Sequence, residues 1–376
     1  MAVLALTCGR AYADDKTGTE GQEFTLDDFD TAKIQEFLDG ISNGAADEIS
    51  FKKIMRQILS GDLSEVFSET AGWLKRALFA EIGTNTKLMG QIVVLALIGA
   101  VFSNFSGIFG SGHVSETGFY VVYLLTMTFL SASFFASVTI ADSVAKDLAE
   151  FMRVLLPAYF LAVTMAGGAI TSAAVCGFTF GAIGVVQAVL SEILIPLMRV
   201  YMMLVLAGNL YKEDMISKFT ELLRQGILWT VKTMFGIVVG FHVIQGMVLP
   251  QADALKNASA MRLAQMIPGL GAGAGAVSQI VMGSGILIKN TAGAAAVIVL
   301  ILMAAVPMLK LLILMVLYYL AAAVMQPVCD KRLVACMTGA AAGHGILLKI
   351  VGYSLALFAV TIAVLCVSTN AAWYAG

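Results

Sequence analysis

The sequence predicts an all-α, polytopic helical membrane protein, with an internal duplication containing broken or re-entrant Gly/Pro helices and a small helical N-terminal extracytoplasmic region. Composition is the first ground. Of 376 residues, 59% are hydrophobic and 13% charged, against roughly 25% charged in soluble domains, and the mean hydropathy is +0.88. The second ground is that the apolar runs are long and continuous, where a transmembrane barrel would alternate. The third is the return of one Gly/Pro-interrupted apolar design at a fixed spacing. A net charge of −2 and the lack of any long Lys/Arg block give no basis for nucleic-acid binding. Cys8, Cys176, Cys329, Cys336 and Cys366 are scattered and odd in number, so they imply no disulfide framework.

Residues 1–13 read as the end of a secretory signal. An apolar run leads to Ala11-Tyr12-Ala13, an A-x-A pattern before Asp14-Asp15, although no basic segment precedes it. Cleavage there would place the following polar region, 14–87, outside the cytosol. Within it Phe51, Ile54, Met55, Ile58 and Leu59 recur at helical spacing, with Ser50 placed to cap the start and Gly61 to end the helix. A second stripe runs from Val66 to Leu78. Such short amphipathic helices suit a small domain, a membrane-surface layer, or a lid on the membrane domain.

The polytopic domain is expected over 88–376. Spans are predicted at 88–109 and 119–140. Asp142, Lys146, Asp147, Glu150 and Arg153 then alternate with apolar residues, as in an interfacial helix. Residues 154–210 leave room for two spans and a broken one; 212–224 return to an interface, and 227–249 span again. A second amphipathic connector, 251–262, leads to a Gly-rich stretch and a further apolar run to Pro327. Asp330, Lys331 and Arg332 mark an interface, and a weak stretch precedes a last span at 345–367. Seven to nine membrane segments follow at about 20 residues each. Lys and Arg are few and mixed with acids, which leaves orientation open.

Pro157 and Pro268, Pro196 and Pro307, and Arg199 and Lys310 are each separated by 111 residues. Those landmarks suggest repeats at about 118–211 and 227–326. The first contains Gly167 and Gly168; the second contains Gly269, Gly271, Gly273, Gly275 and Gly293. Glycine weakens a helix, and irregular backbone survives in a membrane only where protein or a wet cavity satisfies it. Paired interrupted segments point to a path at the interface of repeats. Small-residue helix packing explains the same glycines.

Lys289 has about one span of uncharged residues on either side and is followed by Asn290. An ionisable group at such depth is a functional candidate, and Ser278, Gln279 and Ser284 are the polar groups that would line a hydrated cleft with it. Snorkelling or a structural pairing is the alternative. Arg199 and Lys310, each three residues after a proline, read as interface anchors, with Glu192 two turns before Arg199 as a structural partner. His113, His242 and His344 are isolated and read as ordinary packing. No metal-ligand spacing, nucleophile motif, phosphate loop or dinucleotide fingerprint occurs, so neither a cofactor, a metal nor an enzymatic activity is expected.

The order Ile267-Pro268-Gly269-x-Gly271, Ala276-Val277-Ser278, Gly283-Ser284 and Leu287-Ile288-Lys289-Asn290-x-x-Gly293 resembles the stage III sporulation protein AE family. The layout of signal, polar extracytoplasmic region and polytopic domain resembles that family too. The resemblance implies a multi-pass protein of the mother-cell membrane around the forespore, in a channel complex. Its implied partners are other proteins of the stage III sporulation A operon, including a secretion-type ATPase and intermembrane ring proteins. Self-association is left open, as is the choice between a translocation path and a non-conducting scaffold for the ATPase and ring proteins.

Overall fold

The computed structural model describes residues 31–41, 50–61, isolated positions between 68 and 97, 112–166, 169–210, 216–265 and 271–368, with the backbone alone at 112–116, 118–119, 169–173, 248–265, 271–282 and 368. The expected signal and the span at 88–109 lie outside or largely outside these residues. Among the described residues the structure is helical: α1 (Ala32–Gly40), α2 (Phe51–Ser60), α3 (Gly112–Met165), α4 (Ala169–Ala188), a π-helical turn (Val189–Leu194), α5 (Ile195–Gly208), α6 (Ser217–Gln265), α7 (Gly271–Met325) and α8 (Lys331–Ser368).

The small helix α2 forms as its sequence demands. Ser50 Oγ accepts from the Lys53 amide, and Gly61 ends the helix at φ 74°, a left-handed conformation in which a Cβ is strained. Its apolar stripe, Phe51, Ile54 and Met55, is buried. Replacing Ser50 by Ala should cost about 1 kcal/mol of local stability, seen as faster amide exchange in α2 while the membrane helices keep their protection. The side chain of Gln35 in α1 accepts from the Phe51 amide at 3.1 Å, joining the two amphipathic helices. Phe37 of α1 meets Phe151 of α3 with ring centroids 6.3 Å apart, so this polar layer packs on the bundle as a lid.

Five helices are long and apolar enough to cross a membrane: Tyr120–Met165, Ala174–Gly208, Ser217–Met247, Gly283–Met325 and Lys331–Val367. The expected seven to nine segments were too many for this part of the chain. The span at 119–140, the charged stretch after it and the apolar run to Met165 form one helix of 54 residues. The weak stretch after Leu333 and the last span likewise form the single helix α8. Charges did not end these helices because they occupy one face: Val144, Ala145, Leu148, Phe151 and Met152 are buried, while Lys146 and Glu150 lie outside.

Tertiary contacts set the directions. Along α3, Tyr123, Ser137 and Tyr159 meet Cys336, His344 and Cys366, so α3 and α8 run parallel. Ser133 meets Tyr318 of α7, whereas Met165 and Ala166 at the other end of α3 abut Gly285, which makes α7 antiparallel. Tyr201 of α5 reaches the Gly339 carbonyl, and Phe178 of α4 stacks on Phe241 of α6. The chain therefore goes up in α3, down through α4 and α5, up in α6, down in α7 and up in α8. The hairpin α3 to α5 and the hairpin α6 to α7 share one direction, a parity the sequence left open.

The glycine-rich run does not form the expected broken or re-entrant segment. Gly271, Gly273 and Gly275 lie in the first turns of the continuous helix α7. The interruption falls before them, at 266–270, where Pro268 and Gly269 lie outside the described residues. The matching interruption follows Met165, at Gly167 and Gly168, also outside them. Pro157 and Pro307 are accommodated inside α3 and α7. Pro196 follows the π-helical turn, in which the Ile195 amide bonds back to the Leu190 carbonyl. A wider turn relieves the clash that a proline ring makes with the carbonyl four residues earlier.

The same registers bring Asp142 of α3, Lys310 of α7 and Lys349 of α8 to one level, with Lys232 of α6 close to it through the Phe235 to Tyr353 contact. Lys146 pairs with Asp142 at 2.7 Å and Arg153 with Glu150 at 3.2 Å on the outer face. This belt of charge divides the long helices into two apolar zones. Exposed pairs of this kind contribute little stability; their importance is positional, because they exclude the belt from hydrocarbon.

Candidate functional site

Lys289 is completely buried, in a helix whose neighbouring residues are apolar. Its position follows from the two glycines one turn before and after it, Gly285 and Gly293, which share its face at i and i+4 spacing. A Cβ on Gly285 would stand 2.9 Å from the Ala166 backbone nitrogen and 3.1 Å from the Met165 carbonyl carbon. One on Gly293 would collide with Cys366 Sγ and meet the Tyr159 ring at 3.5 Å. Backbone therefore touches backbone only because no side chain intervenes, and α7 is drawn against the last two turns of α3.

Lys289 lies between these contacts, level with the end of α3. The last carbonyls of a helix have no intrahelical partner, and the macrodipole places partial negative charge there. The Ala166 amide donates to Ala162 O at 3.0 Å, which leaves the carbonyls of 163–165 as the acceptors of that end. A buried ammonium requires such a setting, since a charge in apolar surroundings costs several kcal/mol unless paired or hydrogen-bonded. Tyr159 closes the far side and donates to Cys366 Sγ at 3.3 Å.

Asn290 is half-buried, and its Oδ1 is enclosed without a hydrogen-bond partner in the protein. Ser284 is half-buried beside Gly285, and Thr291, which sequence reasoning passed over, is buried. The side chains of Ser278 and Gln279 lie outside the described residues. Of the two expected anchors, Arg199 is exposed and Lys310 half-buried. The expected pairing of Glu192 with Arg199 is not found: among the described residues no ion pair joins them, and both are exposed. The intervening π-helical turn adds a residue to the helical repeat and rotates the two off a common face.

A second polar cluster was not legible in the sequence. His344 of α8, read as ordinary packing, is completely buried at the contact of three helices. Its Nδ1 donates to the Ala340 carbonyl at 2.8 Å, so Nε2 accepts from Ser137 Oγ of α3 at 3.0 Å. Tyr318 of α7 stacks on the imidazole at 4.9 Å and donates to Ser133 Oγ at 2.7 Å. Ser133 and Ser137 are one helical turn apart, which is the only local signal; their partners lie about 200 residues away.

Five apolar helices bundled around buried polar side chains define a multi-pass membrane protein with a polar interior. The family model for stage III sporulation protein AE matches residues 49–369. The chain belongs to the stage III sporulation protein AE family. It is 25% identical over 284 residues to stage III sporulation protein AE of Bacillus subtilis (strain 168), covering 74% of this chain and 70% of that protein. No solved structure matches the chain.

Proposed function

We propose that this protein is a membrane component of the sporulation channel complex linking mother cell and forespore, and that it forms or supports a translocation path running past Lys289 and Asn290. The complete burial of Lys289 against the end of α3 carries this reading. An ammonium is retained at such depth at considerable cost, which a packing role alone does not repay when an apolar residue of equal volume would serve. The path contains no group suited to covalent chemistry, and energy comes from partners. Those partners are the secretion-type ATPase and ring proteins of the same operon, with the chain in the mother-cell membrane and its N-terminal region extracytoplasmic. The duplicated landmarks are consistent with this reading, since the two helical hairpins run in one direction.

The test is solvent access. In a chain freed of native cysteines, Asn290→Cys and Ser284→Cys are expected to react in membrane vesicles with small water-soluble thiol reagents. Leu287→Cys, on the exposed apolar side of the same helix, is expected to stay unreacted. Protection of both 284 and 290 would remove the path. The second reading, a scaffold, is favoured by the charged belt and the length of the helices, which exceeds what a bilayer needs.

A further inference from the structure

We infer that the junction of α4, α6 and α8 holds a hydrated binding site for small uncharged hydrogen-bonding molecules, water first, built from His242, Thr179, Gln245 and Thr361. His242 is almost wholly buried, and neither ring nitrogen has a hydrogen-bond partner in the protein. Its imidazole meets the edge of Phe178 of α4 with centroids 5.2 Å apart. The next residue on α4, Thr179, is fully buried with its hydroxyl unpartnered. Gln245, one turn along α6 from His242, encloses an unpartnered Oε1.

Thr361 completes the group from the third side. Phe235 of α6 faces Tyr353 of α8, and these helices run parallel. His242 lies two turns beyond Phe235 on the same stripe, as Thr361 lies two turns beyond Tyr353. The two therefore come to one level on facing surfaces, and Thr361 is likewise buried with its hydroxyl unpartnered. A single orphaned polar atom in an interior is unremarkable, but five on three converging helices are not. Buried groups of this kind are ordinarily satisfied by enclosed molecules with two to four polar contacts.

The chemistry selects a neutral ligand. Hydroxyls, an amide oxygen and an imidazole both donate and accept, and none is a fixed charge. The nearest charged residues along these helices are Lys232, about 15 Å from His242, Lys349, about 18 Å from Thr361, and Glu192, about 20 Å from Thr179, at 1.5 Å per residue. No carboxylate is present to hold a cation and no guanidinium to hold an anion. This site uses different helices from the Lys289 contact and stands or falls independently of the proposed path.

Water-edited solid-state NMR of the intact protein in lipid, with histidine ring nitrogens labelled, tests it. His344 is the internal standard, because protein groups already satisfy both its nitrogens. Magnetisation from water is expected to reach the His242 ring several-fold faster than the His344 ring, with signals assigned from His242→Gln and His344→Gln. Equal, slow build-up at both rings would overturn the site. Should either variant fail to fold, Thr361→Cys in a cysteine-free background gives a second reading: labelling by a small water-soluble thiol reagent is expected, with Ile237→Cys on the exposed face of α6 as the unreactive control. Protection at 361 would also overturn the site.

Discussion

Replacing Lys289 by methionine is expected to leave a protein that accumulates, purifies and assembles with its partners, yet supports no more spore formation than a strain lacking it. The substitution keeps the length of the side chain and removes only the charge. Lys289 is completely buried, and exchanging a buried ionic group for an apolar one of similar volume is commonly neutral or stabilising by about 1–4 kcal/mol. A lysine kept for structure alone thus predicts a variant as stable as the parent and fully active. A lysine kept for a path predicts the same stability and lost activity. The measurements are thermal unfolding in detergent, co-purification with the partners and counts of heat-resistant spores. Retained spore formation would sink the path; loss of co-purification would move the function to scaffolding.

The second large effect concerns glycines, where the sign of an alanine substitution should depend on position. A Cβ on Gly343 of α8 would sit 2.6 Å from Phe134 Cε2 and 3.2 Å from Tyr201 Cε1, both on rings held in the core. Gly343→Ala should destabilise the bundle by about 1–3 kcal/mol, the usual cost of overfilling a packed interior, and Gly343→Leu by more. At Gly240 of α6 nothing lies within 4 Å of such a Cβ. Gly240→Ala should therefore be neutral or stabilising by up to about 1 kcal/mol, since glycine disfavours helix. Thermal melts of both variants under one detergent condition decide this. Phe134→Leu combined with Gly343→Ala should recover part of the loss, because the close contact is with the ring. Equal effects at 240 and 343 would mean that the close approach of α3, α5 and α8 is wrong.

Much of this architecture was legible in the chain, and the failures have physical causes. Helicity and membrane character followed from composition, and α2 could be placed to the residue because Ser50 and Gly61 are local signals. Lys289 stood out because its apolar neighbours offered it no nearby water. The glycine run misled because a glycine that breaks a helix and one that admits a neighbouring backbone look alike in sequence. Gly285, inconspicuous in the sequence, makes the close backbone contact, while Gly271 to Gly275 simply continue a helix. Span counting erred at 142–153 because a charged stripe ends a helix only when the opposite face is charged as well. His242 and His344 looked alike and solitary; their different surroundings come from helices that only the folded chain brings together.

The length of α3 has a consequence for how the molecule is reached from outside the bilayer. Fifty-four residues extend about 81 Å at 1.5 Å per residue, whereas a bilayer with its headgroups is about 40–45 Å thick. Even leaning at 40°, the steep end of the usual range, the helix would rise about 62 Å, leaving roughly 17 Å of ordered stalk clear of the lipid. That overhang is about twice the distance over which physiological salt extinguishes surface charge. A soluble subunit seated on its tip would grip the stalk itself and be indifferent to whether the surrounding lipid is anionic.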